Sequence, residues 1–130
     1  MREFRLGPHT TMVVRTSTPE LLELDAEWQP SPGAPPKHFH PEQDEHFEIR
    51  EGEMSVDFDD GEIRTFGPGE TIDVPRGQVH AMWNAGQKPV RASWQVRPAL
   101  RTADFMGAIT ETGGSLELLQ EYADVFRLAL

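Results

Sequence analysis

His38-Phe39-His40-Pro41-Glu42-Gln43-Asp44-Glu45-His46-Phe47-Glu48-Ile49-Arg50-Glu51-Gly52 is the stretch on which the reading turns. From Glu45 onward, apolar and polar side chains alternate. Phe47 and Ile49 share the parity of Glu45, and His46, Glu48 and Arg50 take the other. Period-two alternation marks a strand with one buried face, so Glu45 is placed inside beside two large apolar neighbours. His38 and His40 stand two residues apart, and on an extended chain their imidazoles point the same way. Gly52 then suits a hairpin corner with positive φ.

Similar runs lie on both sides. Leu22, Leu24, Ala26 and Trp28 alternate with Glu23, Asp25 and Glu27; Val90, Ala92, Trp94 and Val96 alternate with Arg91, Ser93, Gln95 and Arg97. Thr11–Thr16, Met54–Phe58, Glu62–Phe66, Thr71–Val74 and Val79–Trp83 read the same way. Glycine- and proline-bearing turns separate them, at Glu51-Gly52, Asp59-Asp60-Gly61, Gly67-Pro68-Gly69 and Pro75-Arg76-Gly77. Many short strands at this spacing predict an all-β sandwich or barrel. After Pro98 the period changes. Phe105, Met106 and Ile109 have helical spacing, Gly113-Gly114 breaks it, and Ser115 is a candidate N-cap. Leu118, Leu119, Tyr122, Val125 and Phe126 then fall on one face of a helix. The reading is one domain over 1–130, with a barrel at about 10–98 and a helical segment at about 101–128. That segment packs on the outside of the barrel or on a second subunit, with a lid over the barrel mouth as the alternative.

Composition narrows the function. The chain has 130 residues, 12 basic and 22 acidic side chains, a formal charge of −10 and no cysteine. Without cysteine there is no disulfide scaffold, thiol nucleophile, iron–sulfur cluster or cysteine-held zinc. The acidic balance argues against nucleic acid and anionic membranes as partners. No apolar run nears the ~18 residues of a membrane span, and the start lacks a secretory pattern, so a cytoplasmic location is expected. His, Asp, Glu or a metal remain to carry chemistry.

A lone His-x-His is a short pattern, but a second one follows downstream. Gly69, Pro75, Gly77, His80 and Asn84 stand in the order Gly, five residues, Pro-x-Gly, two residues, His, three residues, Asn. Gly33, His38, His40, Glu45 and Gly52 precede it, with four residues between His40 and Glu45 and six between Glu45 and Gly52. Together these resemble the two motifs of the cupin superfamily, separated here by 16 residues. Gly33 departs from the pattern by lying one residue closer to the first histidine, which shortens a turn and touches no ligand. The resemblance implies a double-stranded β-helix, or jelly-roll, barrel with a C-terminal helical extension. It also implies that His38, His40, Glu45 and His80 hold one divalent transition metal per chain: iron, manganese, nickel, copper or zinc. Glu45 is a possible acid or base. Asn84 is expected to bond backbone near a strand end. His46 faces away from the site by parity, and Glu42 and Asp44 are expected in a solvated loop.

By the same parity Phe47, Ile49 and Met82, with Trp94 on the last strand, are the candidate pocket walls. Four protein ligands on an octahedral metal leave two positions open, which suits a small-molecule substrate beside water or dioxygen. The expected activity is that of an oxygenase or related oxidoreductase on a small organic molecule. Non-redox isomerase, cyclase or lyase chemistry is the alternative enzyme class, and a sensor or binding module the non-enzymatic one. A homodimer is expected, joined through an outward apolar surface on Thr11–Thr16 and Glu20–Trp28.

Overall fold

The computed structural model describes residues 2–129. Eleven strands and two helices follow in order. They are β1 (Glu3–Leu6), β2 (Thr10–Ser17), β3 (Leu22–Trp28), β4 (His38–Phe39), β5 (Asp44–Glu51), β6 (Met54–Asp57), β7 (Ile63–Phe66), β8 (Thr71–Val74), β9 (Ala81–Trp83), β10 (Val90–Arg97), α1 (Thr102–Thr112), α2 (Leu116–Glu121) and β11 (Arg127–Leu128). Every strand pairing is antiparallel. One sheet runs β1-β2-β3-β10-β5-β8; β7-β6-β9 and β11-β4 form the rest. A bridge between His38 and His80 connects β4 to the start of β9, so these shorter pieces make the opposite wall. The result is a two-walled barrel, as the alternating pattern predicts, and it has the double-stranded β-helix form that the resemblance implies.

The alternation explains the core. Leu22, Leu24, Ala26 and Trp28 of β3 are buried, as are Phe47 and Ile49 of β5 and Val90, Ala92 and Val96 of β10. β10 sits between β3 and β5 with seven paired positions on each side, which makes it the spine of the larger sheet. Each fully buried Leu, Ile or Phe contributes ~1.5–3 kcal/mol relative to exposure. Because β3 turns its apolar side chains inward, its outer face carries Glu23, Asp25 and Glu27. Arg15 pairs with Asp25 at 3.0 Å across that face. The expected outward apolar surface is therefore absent there; the parity that fills the core leaves charge outside.

Gly52 has φ +79°, and a Cβ added to it would stand 2.6 Å from the Pro89 carbonyl oxygen. Gly77, in the turn before His80, has φ +80° and open space around it. Left-handed backbone costs an L-residue roughly 1–2 kcal/mol. Gly77→Ala is expected to lose about that much, and Gly52→Ala clearly more because of the clash. Urea unfolding of both variants checks this; equal losses show that the corner relaxes around the methyl group.

Two segments depart from the sequence reading. β1 lies outside the expected barrel yet is the edge strand of the large sheet, with Phe4 buried against the core and against α1. The C-terminal segment is not helical to residue 128. Helix α1 ends at Gly113 in the left-handed cap conformation, and the Ser115 hydroxyl caps α2 by accepting from Leu118 N–H at 3.1 Å. α2 then stops at Glu121, and β11 pairs with β4. Strand pairing and burial of Val125 outweigh continuation of the apolar helical face.

Candidate metal centre

His38 and His80 are held opposite one another by two reciprocal backbone hydrogen bonds. His38 N–H donates to the His80 carbonyl at 3.0 Å, and His80 N–H returns the bond at 2.9 Å. Directly opposed residues project to the same side of a sheet, so both rings enter the barrel interior, 4.4 Å apart between centroids. His40, two residues on, brings its ring to 5.1 Å from His38 and 5.6 Å from His80. Each histidine offers one nitrogen, and the three nitrogens lie within 4.8 Å of one another, a spacing at which one ion can be held. The turn delivering His80 is fixed by Gly77 N–H donating to the His40 carbonyl at 2.8 Å.

Glu45 comes from the opposite wall, on β5 between β8 and β10. It is 3% exposed. Its Oε1 stands 3.0 Å from His40 Nε2 and 3.4 Å from His80 Nε2. Its Oε2 accepts from the indole N–H of Trp94 at 2.7 Å. Among the described residues the group of three close nitrogens does not extend to Glu45. The carboxylate therefore faces the cluster from across the cavity and contacts two of its members.

Hydrogen bonds on the far side of two rings set their orientation. His40 Nδ1 is 2.7 Å from the Val125 carbonyl oxygen, and His80 Nδ1 is 2.9 Å from that of Gln78. A carbonyl only accepts, so each Nδ1 carries a proton, and the inward-facing Nε2 is the atom that can offer a lone pair to a cation. This is the arrangement that metal-bound histidines use. His40 Nε2 and Glu45 Oε1 are also buried without a well-formed hydrogen bond, despite their 3.0 Å separation. Buried polar atoms are rarely left so, and two facing lone-pair donors fit a cation between them. The residues present thus fit a divalent metal.

Electrostatics agree. Burial, then repulsion by His80 and His40, pushes the His38 imidazole down to about 3, so it is neutral near pH 7. Burial alone raises a carboxyl, but attraction by the imidazoles of His40 and His80 holds Glu45 well below the usual range. Burial lowers His40, and attraction by the Glu45 carboxylate 3.0 Å away outweighs it, leaving His40 raised. A cation arriving at the site meets an ionised carboxylate and takes the place of the His40 proton.

The site opens on a cavity of about 510 Å³. Phe47, Met82 and Trp94 line it, with Trp28, Phe105, Met106, Val125 and Phe126. Ile49 does not: it is 1% exposed within the core. Parity assigned it to the right face, but two residues further along the strand lie about 6–7 Å deeper, below the cavity. His46 lies outside, 2.6 Å from Asp73. Asp44 is not simply solvated, since Arg76 grips it through its backbone N–H and its guanidinium. Asn84 bonds the Trp28 and Lys88 carbonyls through its amide nitrogen.

Three contributions are absent from the sequence reading. Trp94 is a hydrogen-bond donor to Glu45 as well as a wall. Val125 supplies the carbonyl that holds His40. Phe126 stacks on His38, with centroids 4.7 Å apart and planes 24° apart. The signals were faint: an apolar pair read as helix face, and a tryptophan whose partner lies 49 residues away.

Residues 25–96 match the family model of the cupin domain. A protein of Arthrobotrys oligospora named as an oxidoreductase is 45% identical over 56 residues, which is 42% of this chain and 22% of that one. The chain matches well under half the length of its curated relatives. Among solved structures, a double-stranded β-helix protein of unknown role from Klebsiella pneumoniae is 21% identical with a TM-score of 0.62, covering 71% of this chain and 75% of that one. The polyketide cyclase RemF of Streptomyces resistomycificus is 25% identical with a TM-score of 0.62, covering 69% and 66%.

Proposed function

This chain belongs to the cupin family, and on that premise we propose that it is a metal-dependent enzyme, an oxygenase or related oxidoreductase acting on a small organic molecule. One divalent transition metal per chain (iron, manganese, nickel, copper or zinc) is bound by His38, His40, His80 and Glu45. The observation that carries the reading is the convergence of three imidazole nitrogens within 4.8 Å, with a buried carboxylate facing them. The oxidoreductase-named relative supports the redox assignment. When bound, such a metal acts as a Lewis acid or redox centre for substrate oxygen atoms. The chain's own residues fix the rings through the Val125 and Gln78 carbonyls, hold Glu45 through Trp94, and close the cavity with apolar walls that exclude water.

Non-redox cyclase chemistry is the second reading, supported by the likeness to the polyketide cyclase. Elemental analysis of protein purified without added metal, followed by oxygen uptake with a panel of aromatic and enolic substrates, separates the two. Iron, manganese, nickel or copper with oxygen uptake supports the oxidoreductase; anaerobic turnover with zinc overturns it in favour of the second. A cytoplasmic homodimer is part of the proposal. Light scattering that gives the mass of a single chain at micromolar concentration contradicts the dimer.

A further inference from the structure

The walls of the cavity are sharply biased. From the large sheet Trp28, Phe47 and Trp94 form a connected aromatic cluster, with Trp28–Trp94 centroids at 6.0 Å and Phe47–Trp94 at 5.2 Å. From the C-terminal segment come Phe105 and Phe126, 5.4 Å apart and inclined by 31°. Among the described residues no lysine or arginine side chain lines the space. Its only ionisable side chains are the three histidines and Glu45. An adjoining chamber of about 300 Å³ shares Leu6, Gly7, Thr10, Trp28, Pro35 and Met82 with it, which extends the space between the β1–β2 turn and the loop before β4.

These features act together on ligand choice. A dicarboxylate or phosphate entering here meets Glu45 with no lysine or arginine to receive its charge, and gives up its hydration to an apolar wall. An uncharged ring system loses little by leaving water and stacks on the aromatic groups. The volume is that of a site for a molecule larger than a two-carbon acid. We propose that the cavity selects an uncharged planar aromatic molecule bearing two adjacent oxygen donors, and rejects small dicarboxylates and phosphorylated compounds. The assignment rests on the metal reading above: the oxygens address the cation, and the walls choose the body that carries them.

The test uses the full chain loaded with zinc, which is redox-silent, and two probes with a similar oxygen bite. They are 2,3-dihydroxynaphthalene, uncharged and aromatic, and oxalate, charged and without an apolar body. Zinc occupancy is measured separately by equilibrium dialysis and elemental analysis, with and without each probe. Isothermal titration calorimetry then compares the probes. The diol is expected to bind at least about tenfold more tightly than oxalate, with the negative heat-capacity change of apolar burial. Met82→Lys, which places a cation in the shared wall, is expected to narrow or reverse that preference. Oxalate binding as tightly as the diol to zinc-loaded wild-type protein overturns the substrate class while leaving the metal site standing. Failure to retain zinc overturns the metal reading instead. The metal-free comparison still judges the walls: diol binding without oxalate binding supports their selectivity, and binding of neither contradicts it.

Discussion

His40→Ala is expected to abolish tight metal binding and to destabilise the metal-free protein by about 3–5 kcal/mol, the cost of leaving a buried charge without its partner. His40 stands 3.0 Å from a carboxylate that is 3% exposed and held ionised. Removing the imidazole leaves Glu45 with the Trp94 indole and a more distant His80, 3.4 Å away. A second substitution separates the two roles of the ring. In His40→Ala/Glu45→Ala no uncompensated charge remains, so the double variant should recover part of the lost stability and none of the metal affinity. Urea unfolding of the metal-free proteins and cobalt titration of the folded ones read the two quantities independently. A double variant as unstable as the sum of the singles shows that the pair does not interact. A His40→Ala protein that still binds one cobalt tightly removes His40 from the ligand set.

The second large effect concerns a segment remote in sequence from both motifs. A chain ending at Ala123 is expected to lose about 10–100-fold in metal affinity, the usual consequence of removing a group that orients a ligand from behind. The truncation removes the Val125 carbonyl, 2.7 Å from His40 Nδ1, the Phe126 ring stacked on His38, and β11, which pairs with His38 and Phe39 of β4. It also removes Asp124, whose carboxylate takes two hydrogen bonds from Arg101 at the start of α1. Phe126→Ala keeps the backbone carbonyl and should lose less. Circular dichroism verifies that the barrel of the truncated chain stays folded. Competition with a chromophoric chelator measures the affinities, and an unchanged value in the truncated chain shows that the segment only covers the site.

The contrast between these predictions shows where sequence is informative. Within a strand, parity is strict. The inward placement of Glu45 and Phe47, the outward placement of His46 and the shared face of His38 and His40 were therefore legible from alternation alone. Parity is silent on depth, so Ile49 could be assigned to the right face and the wrong level. The expected outward apolar surface of β3 ran against that parity, because Glu23, Asp25 and Glu27 alternate with the buried residues and therefore face out. The C-terminal segment failed for another reason. Leu118, Leu119, Tyr122, Val125 and Phe126 satisfy helical spacing, yet Val125 is buried beside the cavity and Phe126 stacks on His38. Local period cannot distinguish these uses, and tertiary contact decided between them. Gln43 makes the same point. It lies in an acidic stretch read as solvated, but its side chain is fully buried and its amide nitrogen donates to the Pro98 and Ala99 carbonyls. A neutral amide between carboxylates was the only hint.

The central claim is that one metal ion is held by residues of both walls. Anomalous diffraction from crystals grown with cobalt or manganese tests it most directly. The account predicts a single strong peak per chain, about 2.0–2.3 Å from one nitrogen each of His38, His40 and His80 and from an oxygen of Glu45. A peak elsewhere, or none at these residues in crystals saturated with the ion, contradicts it.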